Sequence, residues 1–185
     1  MRIVAGTARG RKLFTPAGMD IRPTTDKVKE ALFSVLQFDL PGKRVLDLFA
    51  GTGQLGLEAL SRGAAYVCFT DSSRKAVELV KKNISVTGFG DRCRTVLTDA
   101  YSFLASCREK YDIVLLDPPY EKEMCLKAMD LLPAVLNENA IVVCETRPDE
   151  PLPDHVGDLQ LAKAYHYSSI MLSVYRSPEE QSWRR

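Results

Sequence analysis

The sequence predicts an α/β domain, a mostly parallel sheet with helices on both faces. Three observations predict it. From Lys43 onward, short apolar runs rich in β-branched residues alternate with amphipathic stretches. A glycine loop, Gly51-Thr52-Gly53-Gln54-Leu55-Gly56, stands between the first run and the first amphipathic stretch. Aspartates then recur at the ends of successive runs: Asp47, Asp71, Asp99 and Asp117. A chain of 185 residues suits one such domain with a small extension.

The extension occupies residues 1–40. Residues 2–5 and 11–14 flank Gly6 to Gly10, a spacing that predicts a β-hairpin with Arg9, Arg11 and Lys12 on its rim. Such charges either bind an anionic partner or protect an exposed strand edge from aggregation. A helix follows, with Val28, Ala31, Leu32, Val35 and Leu36 on one face and Thr24 or Thr25 as its cap. Pro41-Gly42 closes this section, and residues 41–177 form the main domain.

There the strands fall at residues 45–49, 65–70, 93–97, 111–116 and 140–144. Helices fall at 55–61 (closed by Gly63), around Ala76, Val77, Val80 and Ile84, at 101–107 and at 125–136. Residues 147–153 read as a proline-rich turn, 159–167 and 170–175 as two antiparallel strands, and 178–185 as a polar, frayed tail.

Composition removes several functions. Lys and Arg number 25 against 24 Asp and Glu, yet residues 1–30 hold seven basic residues against three acidic, so positive charge gathers at one end. Five cysteines, odd in number and set in apolar runs, read as reduced core residues of a cytoplasmic protein. Two histidines and no C-x-x-C pair leave no material for a zinc site or a His-based triad, so no metal is expected. No apolar stretch suits a signal peptide or a membrane span.

The chemistry concentrates at Asp117-Pro118-Pro119-Tyr120, after the strand 111–116. Two prolines hold a stiff extended loop whose carbonyls stay free to accept hydrogen bonds. An acid before that loop and an aromatic ring after it match an exocyclic amino group on a planar base: acceptors for its N–H bonds and a surface on which the ring stacks. The glycine loop also satisfies a dinucleotide fingerprint, with Asp71 twenty residues after Gly51, so a nicotinamide or flavin enzyme is a real alternative. Against it, Asp47 lies inside the strand before the loop, where a carboxylate suits a cationic ligand and repels a pyrophosphate. The repeated strand-end acids suit a cofactor with a ribose diol, an amino-purine and a sulfonium but no phosphate, which describes S-adenosylmethionine. Asp71 would take the ribose hydroxyls, Asp99 the adenine amino group, and Asp47 the methionine end.

Residues 45–53, 56–64 and 117–120, with the more specific stretches 1–6 and 21–26, resemble the bacterial enzymes that methylate the N2 amino group of one guanine in 16S ribosomal RNA. The resemblance spans nearly the whole chain and is weakest after Glu150. It departs at Asp71, where the family carries Glu, at Gln54, which replaces a small residue, and at residues 167–172. It implies a Rossmann-like class I methyltransferase with a mostly parallel seven-strand sheet and an antiparallel C-terminal hairpin. It further implies that Asp47, Phe49, Gly51, Gly53, Asp71, Asp99 and Ala100 bind S-adenosylmethionine, and that Asp117, Pro118, Pro119 and Tyr120 form the catalytic stretch. Arg2, Arg9, Arg11, Lys12, Arg22 and Thr24 would touch RNA, free or within a partly assembled small subunit, with the chain acting as a monomer. A DNA adenine-N6 methyltransferase shares the tetrapeptide. A glutamine methyltransferase would carry Asn first, a nicotinamide oxidoreductase lacks a recognisable hydride-partner residue, and a non-catalytic RNA-binding relative would not need an intact tetrapeptide.

Overall fold

The computed structural model describes residues 1–16, 26–119, 124–150, 152–167 and 169–178. Helix α1 (Asp26–Leu36) leads into a strand–helix alternation: β1 (Arg44–Asp47), α2 (Gln54–Ser61), β2 (Tyr66–Asp71), α3 (Arg74–Thr87), β3 (Cys93–Leu97), α4 (Ala100–Ser106), β4 (Tyr111–Leu116), α5 (Met124–Leu131) and β5 (Leu136–Thr146). Three further strands follow, β6 (His155–Val156), β7 (Leu159–Tyr167) and β8 (Ile170–Arg176). The sheet runs β3-β2-β1-β4-β5-β8-β7-β6, parallel through β5 and antiparallel beyond it. Strand order reverses between β1 and β4, and a crevice forms outside the carboxyl ends of the strands at such a switch point.

The predicted Rossmann-like class is thus the observed one, with eight strands instead of seven. The additional strand is β6, two residues between Pro153 and Gly157, too short to leave a periodic signature. Helix α5 stops at Leu131 instead of Leu136 and gives way to a 3-10 turn over Leu132–Val135, because Pro133 cannot donate to an α-helical ladder. Strand β5 starts four residues earlier than predicted. After Leu136, paired with Tyr111, come the polar Asn137, Glu138 and Asn139, the last at φ 57°, before the ladder resumes at Ile141.

Alternation along the strands separates two cores. Val45, Phe69, Leu115 and Val143 pack under α1, α2 and α3, while Leu46, Leu116, Cys144 and Tyr175 pack under α4 and α5. On α1 the buried stripe is Val28, Leu32, Phe33 and Leu36; Ala31 and Val35 lie at its margin, and the predicted face is rotated toward Phe33. Thr24, Thr25 and the tail 179–185 lie outside the described residues. The five cysteines are free thiols; Cys68, Cys125 and Cys144 are core residues as expected, whereas Cys93 and Cys107, near the sheet's edge and a helix end, are only half-buried. Cys125 of α5 and Cys144 of β5 approach to 2.7 Å, and burial pushes the Cys144 thiol well up.

The N-terminal segment is a hairpin in outline only. One bridge, Arg2↔Lys12, and bonds such as Ile3 N–H to the Arg11 carbonyl (3.0 Å) hold it. The regular ladder fails for a specific reason: the Val4 and Ala5 N–H groups donate to the Glu58 carboxylate on α2, at 2.7 and 2.9 Å. Ser61, one turn further along α2, accepts from the Ala8 N–H and donates to the Ala5 carbonyl. On α3, the buried Asn83 accepts from the Phe14 N–H and donates to the Phe14 and Thr52 carbonyls. A Cβ on Gly6, at φ +81°, would stand 1.9 Å from the Ser61 carbonyl oxygen, so glycine lets the hairpin press onto α2.

Candidate active site

At the switch point the chain encloses a cavity of about 1570 Å³. One wall is the glycine loop. Gly51 at φ 55° and Gly53 at φ 76° turn the chain from β1 into α2. Gly56 brings α2 onto β2, since a Cβ there would meet Phe69 Cε1 at 2.3 Å. Asp47 closes β1 beneath the loop, and its Oδ2 accepts from the Gly56 N–H at 2.9 Å. Burial raises its pKa to about 7; the Gly56 bond opposes that shift and the nearby Asp71 charge adds to it.

Asp71, closing β2, accepts from the Gly51 N–H at 2.9 Å and from the Ser73 N–H at 2.8 Å, tying the glycine loop to the start of α3. Asp99 caps α4 by accepting from the Ser102 N–H at 2.9 Å. Hydrogen bonds from Ser102, hydroxyl first and then backbone, hold its carboxyl below the ordinary range. Structural hydrogen bonding and cavity lining therefore coexist at Asp71 and Asp99. Asp47, Phe49, Gly51, Asp71, Asp99 and Ala100 all line the cavity. Gly53 stands behind this wall, where an added Cβ would meet Val80 and Phe69.

Asp117, Pro118 and Pro119 line the same cavity at the end of β4. Tyr120 lies outside the described residues, as do Arg22 and Thr24. Arg2, Arg9, Arg11 and Lys12 are exposed on the hairpin, and Arg11 donates to the Val86 carbonyl at the end of α3.

Sequence reasoning missed four features of this site. Phe14 ends the hairpin at the cavity wall with 55% of its surface exposed, although an aromatic in a strand pattern reads as core. Lys75 and Lys82 of α3 line the cavity, although charges on an amphipathic helix read as a solvated face. Gln54 lines it with a buried Oε1 that has no hydrogen-bond partner among the described residues. Glu145, inside the apolar run of β5, lines it at 3% exposure. The cavity thus has an acidic floor on β1, β4 and β5 and lysines along α3. Among the described residues no side-chain group suits a metal ion, and no helix is long and apolar enough to cross a membrane.

The donors and acceptors present fit S-adenosylmethionine. The buried Asp47 has Asp71 rather than a cation among the charges acting on it, Gln54 Oε1 is orphaned, and acceptors close β2 and precede α4. Those are the partners that an ammonium, a ribose diol and an amino-purine require.

Comparison with known proteins gives the family. The chain is 37% identical over 155 residues to ribosomal RNA small subunit methyltransferase D of Escherichia coli, covering 83% of this chain and 78% of the relative. It is 36% identical over 157 residues to the Haemophilus influenzae protein of the same name, covering 82% and 81%. The solved structure of Escherichia coli yhhF superposes with a TM-score of 0.86 at 34% identity, over 96% of this chain and 97% of that one. Residues 1–176 match the profile of the family described as conserved hypothetical protein 95. The chain belongs to that family, alongside the small-subunit ribosomal RNA methyltransferases D.

Proposed function

We propose that the protein is an S-adenosylmethionine-dependent methyltransferase acting on the exocyclic N2 amino group of a guanine in 16S ribosomal RNA. The observation that carries the reading is the placement of Asp117-Pro118-Pro119 in one cavity with the glycine loop and the acids Asp47, Asp71 and Asp99. The names of relatives matched over most of their length support ribosomal RNA as the substrate. When bound, the cofactor would supply an activated methyl carbon for exchange of its sulfur bond for one to nitrogen.

The chain's own part is positioning. Asp71 meets the ribose, Asp99 the adenine edge and Asp47 the cationic end. Asp117 and the Pro118 carbonyl accept the two amine hydrogens and turn the nitrogen lone pair toward the methyl group. Well-oriented reactants gain roughly 7–11 kcal/mol, so little acid or base help is needed, and the proton leaves to solvent. Tyr120 stacks on the base, a contact worth about 1–3 kcal/mol. A guanine within a helix cannot reach such a site, so the target is unpaired or flipped out.

Calorimetry and a transfer assay test the reading together. S-adenosylmethionine should bind and NAD should not. Asp117→Ala should lower methyl transfer to small-subunit RNA at least about a hundredfold with cofactor affinity unchanged. Tighter binding of NAD, or wild-type turnover by the variant, overturns the assignment.

A further inference from the structure

The pairing of β4 with β5 brings a second acid beside the catalytic stretch. Leu116 is in register with Cys144, so Asp117 and Glu145, one residue further along each strand, stand side by side at the carboxyl edge of the sheet. Neighbouring strands lie about 4.8 Å apart, so two acids in this register can face one bound molecule. Leu115 and Val143, two residues before each, point into the core beneath α1, α2 and α3. Asp117 and Glu145 continue that face and line one cavity. Glu145 is 3% exposed, and its neighbour across β8 is the buried Leu172. Both carboxylates line the cavity, and each has lone pairs enough to accept an N–H donor of a bound molecule beside its other contacts.

We infer that Glu145 is the residue that selects guanine over adenine-type bases, accepting the N1–H of the base whose N2 amino group is held at Asp117. The inference rests on the proposed function and assigns a role within that site. Guanine presents N1–H and the N2 amino group side by side on one edge, and two adjacent carboxylates match that pair of donors. An adenine-type base presents a lone pair at N1. Placed against Glu145, that lone pair meets an acceptor, and the base is rejected whether or not it carries a 2-amino group. Asp117 alone cannot make this distinction, because an amino group looks much the same on either base. A neutral amide at position 145 presents a donor as well as an acceptor and tolerates both bases.

A base that keeps the nucleophile and changes only N1 supplies the test. 2-Aminoadenosine carries the 2-amino group of guanosine but has no N1–H. A small-subunit RNA fragment methylated by the wild-type chain is prepared with guanosine or with 2-aminoadenosine at the methylated position. The wild-type chain should prefer guanosine in kcat/KM by about tenfold to a hundredfold, the range of one good base-edge contact. Glu145→Gln should reduce that preference at least about fivefold, with the S-adenosylmethionine Kd and the melting temperature unchanged. Equal use of the two RNAs by the wild-type chain overturns the inference, as does the same preference in Glu145→Gln. Both results leave methylation of the parent RNA intact, so they separate this inference from the reading beneath it. A wild-type chain that methylates neither RNA overturns both.

Discussion

Asp47 is the residue whose chemistry is most altered by its surroundings. Its pKa of about 7 in the folded chain lies above the 3.8 of an exposed carboxyl, so between about pH 4 and 7 the folded state holds a proton that the unfolded state has lost. Its contribution to stability is complete below pH 4 and is lost as pH rises through 7. Asp47→Asn should therefore stabilise the protein by about 2–4 kcal/mol at pH 8 and by little at pH 4, as read by denaturant titration at both. A cationic ligand favours the ionised form. The Kd for S-adenosylmethionine should accordingly fall about tenfold between pH 6 and pH 8, and Asp47→Asn should flatten that dependence. The aspartates at strand ends were legible in the sequence because a strand's end is encoded by its own periodicity. Glu145 was not, because Val142, Val143 and Cys144 before it read as a fully buried strand, where a carboxylate looks like the strand's exit instead of part of a cavity.

Among the elements, α2 has two functions. Its first turn closes the glycine loop, and its second holds the N-terminal hairpin through Glu58 and Ser61. Glu58 is fully buried and pairs with Arg62 at 2.8 Å while accepting two backbone N–H groups. Glu58→Ala leaves those donors and Arg62 unmatched, so it should cost about 3–5 kcal/mol in unfolding free energy. Amide exchange in residues 3–13 should rise well before exchange in β1 and β4. Equal protection in both segments would show that the hairpin does not depend on this clamp. The strands and helices of the main domain were legible because a period of two and a period of 3.6 differ clearly over six or more residues. The polar clamp was not, since Glu58, Ser61 and Asn83 lie on faces that read as ordinary helix surface and their partners are 53 to 69 residues away in sequence.

Across the whole, nearly neutral molecule, basic groups stand exposed on the hairpin, and Arg11 among them reaches the Val86 carbonyl of α3. If Arg9, Arg11 and Lys12 contact phosphates, neutralising all three should flatten the log–log salt dependence of RNA binding by roughly 0.7–0.9 per lost contact, with cofactor affinity unchanged. An unaltered slope in a folded variant would assign these charges to solubility alone. The parallel main sheet, the antiparallel C-terminal hairpin and the gathering of acids at the strand ends followed from the order of elements. The eighth strand and the docked state of the hairpin did not, because both depend on contacts that only the assembled molecule provides. That docking also constrains how the chain folds. Residues 3–14 precede all of their anchors in the chain, yet Glu58, Ser61 and Asn83 are in place only once α2 and α3 have formed. Closing loops of that length before any contact is made is entropically costly. The segment that precedes its own anchors is therefore among the last to settle, and during refolding its amides should gain protection after those of the central strands.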